Sequence, residues 1–391
     1  MRVQLGSERL LQSTRLAGKR VGVVSNPASI DNGYGHIVDR ILALQQQGTQ
    51  GVTLAAIFGP QHGFRSDVQE NMIETDHAHD ARRRVPVYSL YSETRQPTAE
   101  MLDALDALVL DLQDVGTRIY TYIYTMANCL MAGRTHGVPV IVCDRPNPID
   151  GVTVEGPMLI PGYESFVGMY PIPMRHGMTI GEIARLFNEH FGIGADLEVI
   201  PMQGWQRTMY HDDTRVPWVL PSPNLPTLDS AVVYPGTVLF EGTSVSEGRG
   251  TTRPFELLGA PGVVPETFAD GLNRLELPGV FFRPVIFEPT FHKHAKQTCG
   301  GCQIHVLDRQ VFPAVLTGVA LTAAFFKADP GFAWRQPPYE YEAIKLPFDI
   351  LAGSSELREQ IEAGVAVAEI GRSWQPSVAA FERVRQSFLL Y

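Results

Sequence analysis

Hydrophobic positions along the first 150 residues alternate between two periods. Short, nearly continuous apolar runs at 21–24, 52–58, 85–90, 108–112 and 138–143 predict buried β-strands. Between them, 36–44 and 120–132 place apolar residues at helical spacing. Apolar strands separated by helices indicate an α/β architecture: a Rossmann-like, mostly parallel sheet with helices on both faces and right-handed crossovers. A helix is predicted at 179–191, where Thr179 and Glu182 have capping-box spacing, and a strand at 197–202. Residues 146–173, rich in Pro and Gly, are expected to lead out of the sheet and over a cleft. Residues 217–253, dense in Pro, Gly, Ser and Thr, are expected to form a long functional loop. From about residue 265 the pattern changes to a helix at 265–274, strands at 280–287 and 303–307, and helices at 312–327 and 355–363. The expected division is a Rossmann-like domain carrying the catalytic groups over 1–260, and a smaller C-terminal α+β domain over 261–391 forming the other wall of the cleft.

Composition narrows the function classes. The chain has 391 residues, 44% of them hydrophobic and 19% charged, enough for two packed cores and unlike a disordered chain. A net charge of −10 repels phosphate backbones, which argues against a nucleic-acid partner. No run reaches the roughly 18 apolar residues of a membrane helix. Arg2, Glu8, Arg9 and Arg15 interrupt the start of the chain, which does not resemble a signal peptide. The expected compartment is the cytoplasm, or an extracytoplasmic space if a leader has been removed. Cys129 and Cys143 lie in apolar runs as small buried hydrophobes. Cys299 and Cys302 supply only half a zinc site and read as a tight turn entering a strand, so no metal is expected. A Gly-x-Gly-x-x-Gly after the first strand and a phosphate loop with its Lys are both missing, so no nucleotide cofactor is expected.

Open parallel sheets bind ligands beyond the carboxyl ends of their strands. Those ends carry Ser25-Asn26-Pro27, Gly59-Pro60-Gln61-His62-Gly63, the segment 111–114 and Asp144-Arg145-Pro146-Asn147-Pro148, and these should converge on one rim. The 59–74 loop offers Gln61, His62, Arg65 and Glu74. Asp114 either caps the following helix or orients a base or sugar hydroxyl. Asp144 and Arg145 either pair with each other or belong, with Asn147, to a preorganised site. Glu155, between Val154 and Gly156-Pro157, has no obvious helix-surface role and is an acid/base candidate. His176 is either a buried histidine bonded to backbone or a ligand-binding group. The glycine-rich segment 241–253 holds Glu241, Thr243, Glu247 and Arg249, and Arg249 suits a carboxylate. Glycosidic cleavage usually needs two carboxyl groups, one held protonated by burial. Glu74, Asp114, Asp144, Glu155, Glu241 and Glu247 are the available acids. An acetamido sugar can instead supply its own N-acetyl oxygen.

These segments occur in one order with Val87-Tyr88-Ser89-Leu90-Tyr91, Arg175-His176-Gly177-Met178-Thr179, Pro221-Ser222-Pro223-Asn224 and Phe240-Glu241-Gly242-Thr243. Together they resemble the NamZ-type exo-β-N-acetylmuramidases, once catalogued as a domain of unknown function, over nearly the whole chain. The resemblance implies a Rossmann-like domain, a smaller C-terminal domain and a cleft between them. It also implies release of N-acetylmuramic acid from the non-reducing end of peptidoglycan fragments, without metal or nucleotide. On this reading Glu155, Glu74, Asp114 and His62 are the catalytic candidates. Gln61, Arg65, Arg118, Asp144, Asn147, His176, Asn224, Glu241, Thr243, Glu247 and Arg249 are the binding candidates, with Arg65, Arg249 and Arg118 the cations for the lactyl carboxylate. One departure matters: the family commonly shows Gly-Pro-Glu-His-Gly, and position 61 here is Gln. An amide does not exchange protons at neutral pH as a carboxyl does. The chain therefore uses another acid, such as Glu155 or Glu74, carries an engineered substitution, or binds muropeptide sugars without turnover. The intact remainder of the motif set favours the first.

Overall fold

The computed structural model describes residues 2–70 and 72–391; Met1 and Asn71, the latter inside the 59–74 loop, lie outside the described residues. Seven strands form the main sheet: β1 (Arg20–Ser25), β2 (Thr53–Gly59), β3 (Ala78–Asp80), β4 (Val85–Ser89), β5 (Ala107–Asp111), β6 (Val140–Cys143) and β9 (Leu197–Ile200). Their order is β3-β4-β2-β1-β5-β6-β9, and every pairing is parallel except that of β3 with β4.

The continuous apolar runs have a direct cause. Successive side chains of a strand face opposite sides of the sheet, and both sides are covered. Val24, Phe58, Leu108, Leu110 and Val142 enter one core with the helix Tyr122–His136. Val21, Val23, Ile57, Val109 and Ile141 enter a second core with the helix Ile37–Gln46. The α/β expectation therefore holds, with β3 as an additional antiparallel edge.

Beyond β6 the chain forms a small ribbon, β7 (Glu155–Met158) with β8 (Pro173–Arg175). The predicted capping box is present: Thr179 accepts from Glu182 N and the Glu182 side chain accepts from Thr179 N. That helix, Ile180–Arg185, continues as a π-helical turn over Leu186–His190. The 217–253 stretch differs from a structureless loop. It contains a helix, Leu228–Thr237, capped by Thr227, and a 3₁₀ turn, Val238–Gly242. Turn-forming composition concealed a helix whose residues from Ser230 onward are all buried, so packing overrides local propensity there.

The smaller region holds an antiparallel sheet in the order β10-β12-β11, from β10 (Leu257–Ala260), β11 (Val280–Phe287) and β12 (Cys299–Val306). The helix Pro265–Asn273 packs on this sheet, and the helix Ala314–Ala328 packs against that helix. This sheet begins at Leu257, ahead of residue 261. The turn expected at Cys299-Gly300-Gly301-Cys302 is instead continuous strand. Gly301 permits this, because a Cβ there would collide with the Leu258 carbonyl of β10. Both thiols are buried and unbridged. Among the described residues, no helix is long and apolar enough to cross a membrane.

Candidate active site

The carboxyl ends of the central strands meet, as expected of this topology. At the end of β5, Asp111 takes a bidentate ion pair from Arg145, which follows β6: Nε–Oδ1 is 2.6 Å and Nη2–Oδ2 is 2.9 Å. Asn26, past β1, donates from Nδ2 to the Pro221 carbonyl at 2.7 Å and to the Tyr122 hydroxyl at 2.8 Å. Gln113 donates to the Pro146 carbonyl at 2.8 Å. At the end of β2 the chain folds sharply back over Gly59, where a Cβ would sit 2.5 Å from Phe64 N. This fold-back presents Gln61 and His62 over the rim.

Facing the rim is a cleft open to solvent, lined among others by Gln61, His62, Tyr120, Thr121, Ser222, Tyr234, Glu241, Arg249, Tyr339 and Glu340. Glu340 comes from the C-terminal region, on the tip of a tight reverse turn. Tyr339 and Glu342 exchange backbone hydrogen bonds of 2.9 Å, and the central pair Glu340 (φ 44°) and Tyr341 (φ 69°) lies in the left-handed region. Such turns favour Asn-Gly, so two bulky residues here hold strain of a kind concentrated at functional sites.

Among the described residues, the buried Glu340 carboxyl has two donors. The Tyr91 hydroxyl reaches Oε2 at 2.8 Å and Gln61 Nε2 reaches Oε1 at 3.4 Å. The Thr121 hydroxyl donates to Gln61 Oε1 at 2.7 Å, which fixes the amide with its NH₂ toward Glu340. Burial pushes the Glu340 carboxyl up to about 7, with the neighbouring Glu241 charge adding to the rise and the Tyr91 hydrogen bond opposing it. Position 61 thus carries a donor to a carboxyl that holds its proton near neutral pH.

Glu241 differs. Arg249 Nη2 donates to Oε1 at 2.7 Å and the Tyr339 hydroxyl donates to Oε2 at 2.6 Å, so it is a fixed anion. Behind it, Glu247 accepts from Arg249 Nη1 at 3.0 Å and Lys293 Nζ at 2.8 Å. Burial pushes the Glu247 carboxyl up, but Lys293, Arg249 and His292 outweigh it and hold it at about 2. His62 donates from Nδ1 to the Val68 carbonyl at 2.8 Å, and burial lowers its pKa to about 4. A neutral imidazole with that tautomer presents Nε2 as an acceptor.

The remaining candidates lie elsewhere. Glu155 is not among the cleft-lining residues; it accepts from Leu316 N at 2.8 Å at the N-terminus of the helix Ala314–Ala328. Asp114 closes a turn by accepting from Gly116 N at 2.7 Å, and His176 Nε2 stands 3.3 Å from it without hydrogen-bond alignment. Asp144 is buried against Thr179, Gly181 N and the Tyr391 hydroxyl. Asn147 donates to the Met178 carbonyl, Asn224 to the Gln69 carbonyl, and Thr243 to the Phe240 carbonyl. Glu74 is at the exposed edge, accepting from the Tyr341 hydroxyl at 2.7 Å. Arg65 is exposed, and Arg118 is wholly buried, donating to the Leu351 and Ala352 carbonyls at 2.9 Å. Sequence reading missed Tyr91, Thr121, Tyr339 and Glu340. The available signal for the last two was an acid between tyrosines after Pro337-Pro338.

Models of the N-terminal and C-terminal domains of exo-β-N-acetylmuramidase NamZ match residues 21–229 and 232–391. The chain belongs to the NamZ family. It is therefore a member of a glycoside hydrolase family. It is 46% identical to the peptidoglycan β-N-acetylmuramidase NamZ of Bacillus subtilis (strain 168), over 100% of this chain and 92% of that one. Among solved structures it is similar to two DUF1343 family proteins of Bacteroides fragilis NCTC 9343. The first has a TM-score of 0.88 at 34% identity, and the second 0.77 at 28%. Each comparison covers 100% of this chain and 99% of the other. The division between the two NamZ domain models falls near residue 230, so both β10 and the helix Leu228–Thr237 lie at or beyond the seam.

Proposed function

We propose that the chain is an exo-acting glycoside hydrolase that releases N-acetylmuramic acid from the non-reducing end of peptidoglycan fragments, with Glu340 as proton donor. The observation that carries this reading is the Glu340 carboxyl, buried in the cleft and pushed up to about 7. A general acid is most effective when its pKa lies near the working pH. The similarity to a peptidoglycan β-N-acetylmuramidase supports the substrate class.

The geometry favours help from the substrate. Both Glu241 oxygens are engaged, one by a guanidinium, so covalent attack by Glu241 would break a charge-assisted bond. Its fixed negative charge instead stabilises positive charge developing at the anomeric carbon. Glu340 gives its proton to the glycosidic oxygen as the bond from that oxygen to the anomeric carbon breaks and the acetamido oxygen bonds to the carbon. The Glu340 carboxylate then takes a proton from water, whose hydroxyl attacks the same carbon and restores the acetamide. Neutral His62 Nε2 accepts a sugar hydroxyl. Two displacements leave the configuration retained.

Gln61 by itself favours sugar binding without turnover, but a protonatable carboxyl 3.4 Å from its amide supplies the missing acid. The test is release of N-acetylmuramic acid from a muramyl disaccharide and from a chromogenic β-muramide. Release of the β-anomer as first product is expected. An intact disaccharide that nevertheless binds tightly would overturn the hydrolase reading in favour of a binding protein.

A further inference from the structure

None of the three arginines singled out in the sequence turns an unpartnered Nε–Nη2 fork toward the Glu340 carboxyl. Arg65 is exposed on its loop, Arg118 spends Nη2 of its fork on two backbone carbonyls, and both Nη groups of Arg249 are bound to protein carboxylates. A different arginine has the required geometry. The Arg95 guanidinium lies 4.0 Å from the Tyr91 ring centre and 4.6 Å from that of Tyr341. Tyr91 is the hydrogen-bond partner of Glu340, and Tyr341 follows Glu340 on its turn. Arg95 therefore stands beside the carboxyl assigned above as proton donor.

Its hydrogen bonding is incomplete in a specific way. Nη1 donates to the Ser92 carbonyl. Nε and Nη2 are both buried and have no hydrogen-bond partner among the described residues. These two atoms share one edge of the guanidinium, the fork that matches the two oxygens of a carboxylate. Buried donors are rarely left unmade, because each such omission costs free energy. The anion nearest the fork is Glu74, whose Oε1 is 3.5 Å from Nη2 and whose side chain is half exposed. That distance is an ion pair without a hydrogen bond.

We propose that Arg95 is the specificity residue for muramic acid, donating from Nε and Nη2 to the lactyl carboxylate, and that Glu74, at the exposed edge, competes for the same fork. This rests on the function proposed above but is tested by binding, which needs no turnover. Calorimetry is run with free N-acetylmuramic acid, its lactyl methyl ester and N-acetylglucosamine. Arg95→Gln is expected to weaken the free acid about 30-fold and the two neutral sugars less than about threefold, as for loss of a charged hydrogen-bond pair. Arg95→Lys should recover part of the loss. Glu74→Gln, which removes the competing anion, should tighten the acid and leave the ester unchanged. Equal weakening of acid and ester in Arg95→Gln would show that the arginine only supports Tyr91 and Glu340, and would overturn the proposal. So would unchanged affinity for the acid. A wild-type protein that binds the acid through Arg95 yet cleaves no muramide would sink the hydrolase reading and leave this one standing.

Discussion

The Tyr91 hydroxyl donates a 2.8 Å hydrogen bond to Glu340 Oε2, joining the segment after β4 to a turn some 250 residues further along the chain. Through this contact the Rossmann-like sheet orients an acid that the C-terminal region carries. A hydroxyl that donates to a carboxylate favours the ionised form, so Tyr91 holds the Glu340 pKa below where burial alone would put it.

Replacing Tyr91 by Phe therefore has a signed consequence. The Glu340 pKa rises, and the proton donor stays protonated to higher pH. The alkaline limb of kcat/KM, expected near pH 7 in the wild type, moves upward in Tyr91→Phe. Its maximum falls because the carboxyl is less well oriented. A pH–rate profile decides this: an alkaline limb that moves downward or stays in place removes Glu340 from the acid role.

Glu340→Gln removes the transferable proton while keeping the shape of the side chain. A loss in kcat of at least ~100-fold is expected, with KM little changed. Gln61→Glu makes the reciprocal test by restoring the carboxyl common in the family. Two carboxyls at this separation resist ionising together, so one pKa of the pair rises and the alkaline limb again moves upward. Full turnover in Glu340→Gln, measured by muramic acid release, would place the proton elsewhere.

Much of the scaffold was legible because local pattern and global packing agree. The apolar runs around Val23, Leu110 and Val142 fill two cores, and the strand ends they define do carry Gln61 and His62 to a cleft. Glu340 was not legible. Its importance comes from a contact across roughly 250 positions, and no local period encodes such a contact. Glu155 attracted notice because no surface role explained it. Its partner, the helix beginning at Ala314, is likewise distant in sequence. The helix Leu228–Thr237 was hidden by Pro235 and Gly236, whose cost to the helix is offset by complete burial.

Glu155 tests the distinction between holding the fold and doing the chemistry. Its carboxyl accepts from Leu316 N in the first turn of the helix Ala314–Ala328, at the positive end of the helix dipole, but burial outweighs both and raises its pKa. Glu155→Gln keeps an acceptor and loses the charge. Because burial disfavours the charge, its loss is not expected to destabilise the fold: the urea midpoint should change little, with kcat unchanged. A selective loss of kcat at unchanged stability would return Glu155 to the catalytic set.

Asp144 gives the stability profile a slope of definite sign. Burial pushes its carboxyl up to about 7, and the nearby Glu182 charge adds to the rise. Below the pKa of the unfolded chain both states are protonated and this group does not oppose folding. As pH rises the unfolded state gives up its proton first, while the folded state retains it. The folded state then binds more protons, and stability falls until pH passes about 7. The full shift corresponds to a loss on the order of 4 kcal/mol as an upper bound. Asp144→Asn removes the titration, so its urea midpoint should change less between about pH 4 and about pH 8 than that of the wild type. At the acid end the native carboxyl and the amide are both neutral, so the two proteins are expected to differ least there. An unaltered slope would mean that the native Asp144 is ionised across this range, its charge held by Gly181 N and the Tyr391 hydroxyl.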